Sequence, residues 1–413
     1  MSTVNQKLMK LNWDHWWLDL LGGCFGIAIA LGLVRFDFGI IGSLMADAEW
    51  IAVEDIGKLA AINMFGYLAG CIQQAYTKSR EASIRSIRIA IIVIIASIVL
   101  EGRLIHFTSQ SILRLLCGWG AAHLVSGLPT LALERVPSQW RRKATGLIMC
   151  GGGIGSLLGA IAIGLFSPTS APSAWNILAI LTVALSLPTF KLLARNKRVL
   201  PTDWTSEAES QQDDRRGTSR QKLNVLIPII IFGFALMQVG QVPAILYEPL
   251  VAIKKIGLTP MMSSSVDCLF GIGLIIGGLI PTLASSKLTT TLFLPIISSV
   301  GLLGVILFGL SEDVLMLTSS IFLIGVWDMM TGTLTLDRLG QLCDEDVQRR
   351  AWSIATSIGA LGFIIFSSAT AQLSRHNLDL ILTLGIAAVA VEFVLESIQY
   401  SISSKQESQL ISN

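Results

Sequence analysis

The chain has 413 residues, of which 52% are hydrophobic and only 14% are charged, and its net charge is +2. A mean hydropathy of +0.67 excludes a single water-soluble globule, because such a fold could not bury so much apolar surface. The composition therefore predicts an integral membrane protein that has the lipid bilayer as a partner.

Apolar runs close to the ~20 residues that a transmembrane helix needs recur along the whole chain. We expect an all-α membrane protein with twelve transmembrane helices in two six-helix bundles. The twelve runs lie at 18–44, 57–77, 87–101, 110–134, 144–167, 174–194, 224–248, 263–286, 289–310, 314–337, 351–373 and 378–400.

Two lysines and three tryptophans come just before or at the start of the first apolar run. Indole rings favour the headgroup layer, so Trp13, Trp16 and Trp17 are expected to anchor the first helix at the membrane surface. The alternative is a cleaved signal peptide, which is disfavoured because no small-residue cleavage site follows a short apolar stretch.

A charged segment divides the two sets of six runs. Residues 195–223 are rich in Arg, Lys, Asp and Glu and show no apolar periodicity, which is typical of a solvated linker. We therefore predict an N-terminal bundle at 1–194, a cytoplasmic linker at 195–223 and a C-terminal bundle at 224–413. Most Lys and Arg residues lie on the side of the linker, which predicts that both termini are also cytoplasmic.

No motif in the sequence indicates a cofactor. The six cysteines are scattered and are expected to be packing residues rather than disulfides or metal ligands. The four histidines show no metal-ligand spacing, and the sequence lacks the Gly-x-x-x-x-Gly-Lys-Ser/Thr loop that binds nucleotides. We expect no metal, no cofactor and no enzyme activity. Nucleic acid is not an expected partner, because the basic residues serve topology.

Two similar strings lie 203 residues apart. Leu-Ala-Leu-Glu-Arg-Val at 131–136 closes the fourth apolar run, and Leu-Thr-Leu-Asp-Arg-Leu at 334–339 closes the tenth. Each is followed by a pair of arginines. A half-length repeat with acid-arginine pairs at helix ends is typical of duplicated membrane transporters.

The sequence resembles the major facilitator superfamily over nearly its whole length. Arg114 and Gly118 match the Arg-x-x-x-Gly motif of helix 4, which the superfamily associates with proton coupling. Gly146, Gly155 and Gly159 match the glycine motif of helix 5. The resemblance implies a secondary transporter with helices 1, 4, 7 and 10 around a central cavity.

A narrower similarity is to a bacterial subgroup with an Arg-Phe signature in the first helix, which Arg35-Phe36 matches. Ala160 stands where the glycine motif of helix 5 has proline, and Gly42 stands where the Arg-Phe signature of the first helix is followed by proline. This similarity implies a location in a bacterial inner membrane.

Three charged residues fall inside apolar runs: Arg35, Asp37 and Arg114. A charge near the bilayer centre costs at least about 2.5–3.5 kcal/mol, so each is expected to face a cavity or a partner. Arg35 and Asp37 diverge by about 200° around a helix, so only one can face the transport path. We hypothesise that Asp37 pairs with Arg114 in proton coupling and that Arg35 binds the substrate. The alternative is a permanently paired structural cluster.

Helices 7 and 10 supply further candidates. Gln238 is the repeat equivalent of Arg35, and Gln241 and Tyr247 follow it, so we expect these three to bind substrate. The alternative is hydrogen bonding between helices, since polar groups next to a helix-loosening proline also serve that purpose. Asp328 is the best remaining acid for a proton site, because burial favours the neutral form of a carboxyl group.

Charged residues lie at the cytoplasmic ends of helices 4, 5, 10 and 11, next to the predicted linker. They form a candidate inner gate, in which ion pairs between the two bundles break as the bundles rock. The alternative is that these charges only stop helix transfer and compensate helix ends. The gate residues are Glu134, Arg135, Arg142, Asp337, Arg338 and Arg350.

These features predict a monomeric secondary active transporter that moves a small polar or anionic solute by alternating access and is coupled to protons. The alternative is a membrane sensor or receptor that retains a transporter fold.

Overall fold

The computed structural model describes residues 16–77, 79–136, 140–166, 169–195, 225–283, 290–343, 345–373 and 378–412. Within these residues the chain forms twelve long helices and no strand, which confirms the predicted all-α fold. The helices are α1 (Trp16–Asp47), α2 (Val53–Tyr76), α3 (Arg80–Glu101), α4 (Phe107–Leu133), α5 (Arg141–Phe166), α6 (Ala171–Arg195), α7 (Leu226–Gly240 and Val242–Leu250), α8 (Pro260–Leu283), α9 (Thr290–Leu310), α10 (Val314–Leu342), α11 (Glu345–Leu373) and α12 (Leu378–Ser412).

Eleven of the described helices are long and apolar enough to cross a membrane. The remaining helix, α2, has 24 residues but is less apolar, because it carries Asn63, Gln73 and Gln74. Large apolar side chains are exposed around the outside of the molecule, as a lipid-facing surface requires. Trp13 and, apart from Arg195, the predicted linker at 195–223 lie outside the described residues.

Most helices extend beyond the predicted apolar runs, and α3 and α12 extend furthest. α3 begins at Arg80 rather than at 87, because the Ser79 hydroxyl caps it by accepting a hydrogen bond from Ala82 N at 3.1 Å. α12 continues past residue 400 to Ser412 with a polar sequence. Apolar runs therefore mark the part of a helix that suits lipid, whereas capping residues and polar extensions set where the helix ends.

The two halves of the chain pack by the same helix pairing. In the first half α1 contacts α5 and α6, and α4 contacts α2 and α3. In the second half α7 contacts α11 and α12, and α10 contacts α8 and α9. Each pairing recurs six helices later, which is the arrangement that a duplicated unit produces.

The halves meet along α5 and α8 and along α2 and α11. At the first contact a methyl group on Gly153 would lie 2.6 Å from the Gly271 carbonyl, and one on Gly146 would lie 2.6 Å from the Gly278 carbonyl. Only glycine permits such close backbone approach. Small residues are the packing device here, because lipid gives helices no hydrophobic reason to associate.

We use "linker side" for the side of the molecule where α1 begins, α6 ends and α7 begins, and "far side" for the opposite one. On the far side α1 also meets α7, where a methyl group on Gly39 would lie 2.6 Å from the Ile245 carbonyl. The two halves are therefore in close contact on the far side in this conformation.

α1 and α7, which are equivalent in the repeat, are both interrupted. Residues Ala28–Phe36 of α1 form a π-helix that includes Arg35. α7 is divided at Gln241, and Pro243 has no N–H to donate to the carbonyl of Val239. π-helical turns and divided helices are frequent at binding sites. Two of the predicted substrate residues, Arg35 and Gln241, therefore lie at these interruptions.

Burial separates the central helices from the peripheral ones. In α1, α4 and α7, 72% of the most apolar stretch is buried inside the protein, against 33% in α12. This confirms a central position for three of the helices that were expected around the cavity, and it leaves most of α12 facing lipid.

Gly118→Ala is expected to lower the free energy of unfolding by about 1–3 kcal/mol, the usual cost of overpacking. The new methyl group would collide with the Asn63 carbonyl of α2. Thermal unfolding in detergent measures the effect. Gly332→Ala in α10 is the matched control, because its methyl group would lie 3.9 Å from the nearest neighbour, a ring carbon of Phe234. The control should be neutral or slightly stabilising, since Ala favours a helix. Equal stability of the two variants would contradict the close packing of α2 and α4.

Candidate substrate and proton site

Arg35 extends from α1 across the interface to the second half of the chain. Its Nη2 donates a hydrogen bond to Gln238 Oε1 at 2.6 Å, although the two residues are 203 positions apart. The guanidinium also lies 5.2 Å from the ring centroid of Phe363 in α11. Two residues that are equivalent in the repeat are therefore in direct contact between the halves.

Gln241 links Arg35 to an acid of α10. With its amide nitrogen turned toward Asp328, Gln241 donates to both carboxylate oxygens of Asp328 at 3.1 Å and accepts from Arg35 Nη2 at 2.9 Å. Arg35 and Asp328 also attract each other electrostatically. The central constellation therefore consists of Arg35, Gln238, Gln241 and Asp328, and one amide bridges its positive and negative groups.

A cavity of about 10 Å³, with room for about one water molecule, lies beside Arg35. Arg114 and Asn63 also line it, together with the rings of Phe38 and Phe363. The cavity is smaller than the roughly 300–1,000 Å³ of typical ligand pockets. The site is therefore nearly closed in this conformation, and two guanidinium groups reach it.

The expected pair of Asp37 and Arg114 is wrong. Arg114 Nη2 donates to the Val34 carbonyl at 2.7 Å, and Nη1 lies 3.8 Å from Glu101 Oε1. The side chains of Arg114 and Glu101 are 1% and 0% exposed. Glu101 ends α3, which packs against α4, so this acid reaches Arg114 from a neighbouring helix of the same half.

Asp37 faces α5 and α8, away from Arg35, as the helical angle between the two residues predicts. A methyl group on Gly159 would collide with Asp37 Oδ2, so this glycine makes room for the carboxylate. Ser156 and Asp267 are its polar neighbours, and Asp267 interacts in turn with Glu248 of α7. Three acids therefore meet on the far side, although no group of described residues has the arrangement of a metal site.

Tyr247 lies in the second part of α7 and is almost fully buried. Its hydroxyl donates to Thr370 Oγ1 of α11 at 3.3 Å. Its neighbours Ile245 and Leu246 line the cavity. Tyr247 therefore connects the cavity wall to the far-side part of α11.

The acid-arginine pair at the end of α4 makes ion pairs within the first half. Glu134 accepts two hydrogen bonds from Arg80, at 2.9 and 2.7 Å. Arg135 Nη1 lies 3.3 Å from Asp19 Oδ2 of α1. The end of α4 is thereby tied to the start of α3 and to α1.

The equivalent pair at the end of α10 is tied in the same way. Thr290, at the start of α9, donates to Asp337 Oδ2 at 2.5 Å. Arg338 donates to Gln341 Oε1 at 3.0 Å and to Ser403 Oγ of α12 at 2.9 Å. Arg350 is exposed, and the side chain of Arg142 lies outside the described part of the structure. Ion pairs between the two halves at this gate stay a prediction.

Sequence reasoning missed several acids that the structure buries. A rule that any acid within or beside an apolar run is costly, and therefore purposeful, would have found them. They are Glu101, Glu248, Glu392 and Glu396, together with the partly buried Asp267.

Two repeated halves of six helices, joined at the centre by charged and amide side chains on interrupted helices, define a secondary transporter of the major facilitator superfamily. A protein of this class is a transporter and not an enzyme. The family model described as "Uncharacterised MFS-type transporter YbfB" matches residues 27–396, and the chain belongs to this family. No individually curated protein matches the sequence.

Two solved structures are similar to the chain over almost its whole length. The crystal structure of a D-xylose-proton symporter has a TM-score of 0.66 and 17% identity, and the match covers 91% of this chain and 96% of that one. The proton:xylose symporter XylE bound to 6-bromo-6-deoxy-D-glucose has a TM-score of 0.72 and 15% identity, with coverages of 95% and 96%. At these identities the likeness shows the fold.

Glu101→Leu is expected to lower the free energy of unfolding by about 3–5 kcal/mol, because it leaves the Arg114 guanidinium buried without its carboxylate. The double variant Glu101→Leu/Arg114→Leu should recover most of this loss, since neither charge then remains. Thermal unfolding of the wild type, both single variants and the double variant measures the coupling. Additive losses would show that the two side chains are not an energetic pair.

Proposed function

We propose that this transporter moves a small anionic solute by alternating access and couples the movement to protons. The observation that carries the proposal is the contact of Arg35, Gln238, Gln241 and Asp328 where α1, α7 and α10 meet. Charged groups at this depth are costly and typically mark a transport path.

The cavity lining favours an anion with a compact apolar part. Guanidinium groups bind carboxylates through two parallel hydrogen bonds, and both Arg35 and Arg114 reach the cavity. The rings of Phe38 and Phe363 offer apolar faces beside these charges. Gln238 and Gln241 would orient the polar end of the solute, and Tyr247 would act from the adjoining wall.

Competition for Arg35 links the solute to the proton. While Asp328 is ionised it attracts Arg35 directly and through Gln241. When Asp328 takes up a proton this attraction disappears, and Arg35 is free to bind the carboxylate of the solute. Asp37, beside Asp267, is a second proton site in this proposal, and Arg114 sets the local field through its pair with Glu101.

The contacts between the halves support alternating access. The close approach of Gly39 to Ile245 supports a conformation that is closed on the far side. The linker-side gate would open and close as Glu134, Arg135, Arg142, Asp337, Arg338 and Arg350 exchange partners. Glu134 and Arg135 have partners in their own half here, as expected when such a gate is open.

The remaining features of the sequence analysis belong to the same proposal. The rigid units would be 1–194 and 224–413, joined by the linker 195–223. The protein would be a monomer in a bacterial inner membrane with both termini in the cytoplasm. That the two similar solved structures are proton symporters supports proton coupling, whereas their sugar substrate is a property of those proteins.

Uptake into proteoliposomes tests the proposed function. Radiolabelled small carboxylates and neutral sugars are screened with an imposed pH gradient, and the wild type should accumulate at least one carboxylate. Arg35→Gln is expected to reduce that uptake about 10-fold or more, because it removes a charged hydrogen-bond partner worth about 1.5–3 kcal/mol. Asp328→Asn should retain solute exchange and lose accumulation driven by the pH gradient.

The control is Arg103→Gln, which removes an exposed arginine that lies beside the far-side end of α3. It should transport normally. Wild-type protein that binds a carboxylate without moving any solute would support the alternative, a sensor with a transporter fold. Normal uptake by Arg35→Gln and Asp328→Asn together would contradict the proposed site.

Glu134→Gln tests the gate. It removes the charge that holds Arg80, so it should change the rate at which Thr130→Cys, on α4 near the linker side, reacts with a water-soluble maleimide. A pair of this exposure is worth about 0.2–1 kcal/mol, which corresponds to a change of roughly 1.4- to 5-fold. Arg85→Gln, which removes another exposed charge of α3, is the matched control. Identical rates in Glu134→Gln and the control would argue against a gate.

A further inference from the structure

Among the eleven apolar helices, α12 has the smallest fraction of its most apolar stretch buried. It nevertheless carries two fully buried acids. Glu392 and Glu396 are both 0% exposed, whereas only 33% of the most apolar stretch of this helix is buried. An acid on a peripheral helix could avoid lipid more cheaply by standing near the membrane surface. The position of both acids on the narrow inward face therefore calls for a function.

The inward face of α12 is polar over several turns. Glu392, Glu396, Gln399 and Ser403 follow one another at helical spacings of four, three and four residues, which places them on one face over a rise of about 16 Å. All four are at least nine-tenths buried. The stripe runs inside the second half toward the linker side, because α12 continues in that direction.

The end of the stripe at Glu392 lies next to the central constellation. Glu392 Oε1 accepts hydrogen bonds from Ser298 Oγ of α9 at 2.8 Å and from Trp327 Nε1 of α10 at 3.1 Å. Trp327 immediately precedes Asp328 in the chain. Glu392 and Asp328 are also near enough to repel each other electrostatically.

Toward the linker side, the stripe interacts with Arg338 of α10. Glu396 interacts electrostatically with Glu392 and with Arg338, and Arg338 donates to Ser403 Oγ at 2.9 Å. A methyl group on Gly233 of α7 would collide with Glu396 Oε1, so this glycine leaves the space that the carboxyl group occupies. Arg338 is one turn from the end of α10.

Several polar atoms of the stripe have no hydrogen-bond partner among the described residues. They include both carboxyl oxygens of Glu396 and both amide atoms of Gln399, which is itself 0% exposed. Buried carboxyl groups without partners are stable only if they hold a proton. The stripe therefore has the character of a place where protons reside.

We propose that Glu392 and Glu396 form a proton-binding pair that carries the coupling proton between Asp328 and the linker side at Arg338. Glu396, which holds a proton at rest, first releases it at the linker side, where Arg338 stabilises the resulting carboxylate. Glu392 takes up the proton that leaves the carboxyl group of Asp328, which becomes a carboxylate, and passes it on to Glu396, so that Glu392 is again a carboxylate. The inference rests on the proposed proton coupling and adds its route.

The groups around the pair are few, so its titration is interpretable. Within the described part of the chain, Asp328 and Arg338 of α10 interact electrostatically with this pair. α9 and the first part of α7 contain no titratable residue, and α11 carries such residues only in its first turns, at the linker side.

Infrared spectroscopy of the full-length protein in lipid tests the proposal without any solute. The C=O stretch of protonated carboxyl groups is followed during a pH titration. Glu392→Gln and Glu396→Gln should each remove one titrating component. Asp328→Asn should move the midpoint of the Glu392 component by about one pH unit, as coupled acids require.

Ser298→Ala supplies a milder variant that keeps every acid. It removes the hydroxyl that donates to Glu392 and should move the midpoint of the same component. Ser299→Ala is its matched control, because the neighbouring hydroxyl is exposed and donates to the Ile296 carbonyl. It should leave the titration unchanged, and unchanged amide bands show that each variant is folded.

The outcomes separate this inference from the proposed function. If Glu392→Gln and Glu396→Gln remove no component, or if Asp328→Asn moves none, the proton pair is overturned even when proton-coupled uptake is normal. If the components are lost and moved as expected, the pair is supported even when the proteoliposome screen finds no proton-coupled uptake, which would overturn the proposed function alone.

Discussion

The requirement on which the structure depends is that an ionised side chain inside the membrane must be enclosed and faced by partners. Arg35 meets it by donating to Gln238 and by lying near Asp328, both in the other half of the chain. The two halves must therefore meet at the level of this guanidinium. The interrupted helices α1 and α7 carry the residues of this contact, and glycines along α5 and α8 let the halves approach.

Each half solves the same problem differently away from the centre. In the first half Arg114 lies 3.8 Å from the Glu101 carboxylate and donates to the carbonyl of Val34. In the second half the buried acids of α12 have hydroxyl, indole and acid neighbours, and one distant arginine. The repeat has therefore diverged most where charge is buried, and an excess of acid in the second half is suited to holding protons. The helix ends have diverged least, since Glu134 and Asp337 both tie their helix to the start of the preceding one.

Depth in the membrane and direction around a helix are predictable to different degrees. The apolar runs placed Arg35, Asp37 and Arg114 within the membrane, and the helical angle predicted that the first two diverge. The hypothesis that Asp37 pairs with Arg114 is wrong, because sequence does not show which neighbour a side chain faces. Glu101, at the end of α3, takes that place. Gly159 was recognised as a motif residue, but its contact with the Asp37 carboxylate is visible only in three dimensions.

The sequence by itself determined the membrane location, the helical fold, the duplication and the list of charged residues within the apolar runs. It could do so because hydropathy and backbone hydrogen bonding leave a chain in lipid little choice of fold. Only the tertiary structure decided which charges are partners. The contact of Arg35 with Gln238 and the inward face of α12 depend on how helices rotate and pack, which is set by contacts between residues far apart in the chain.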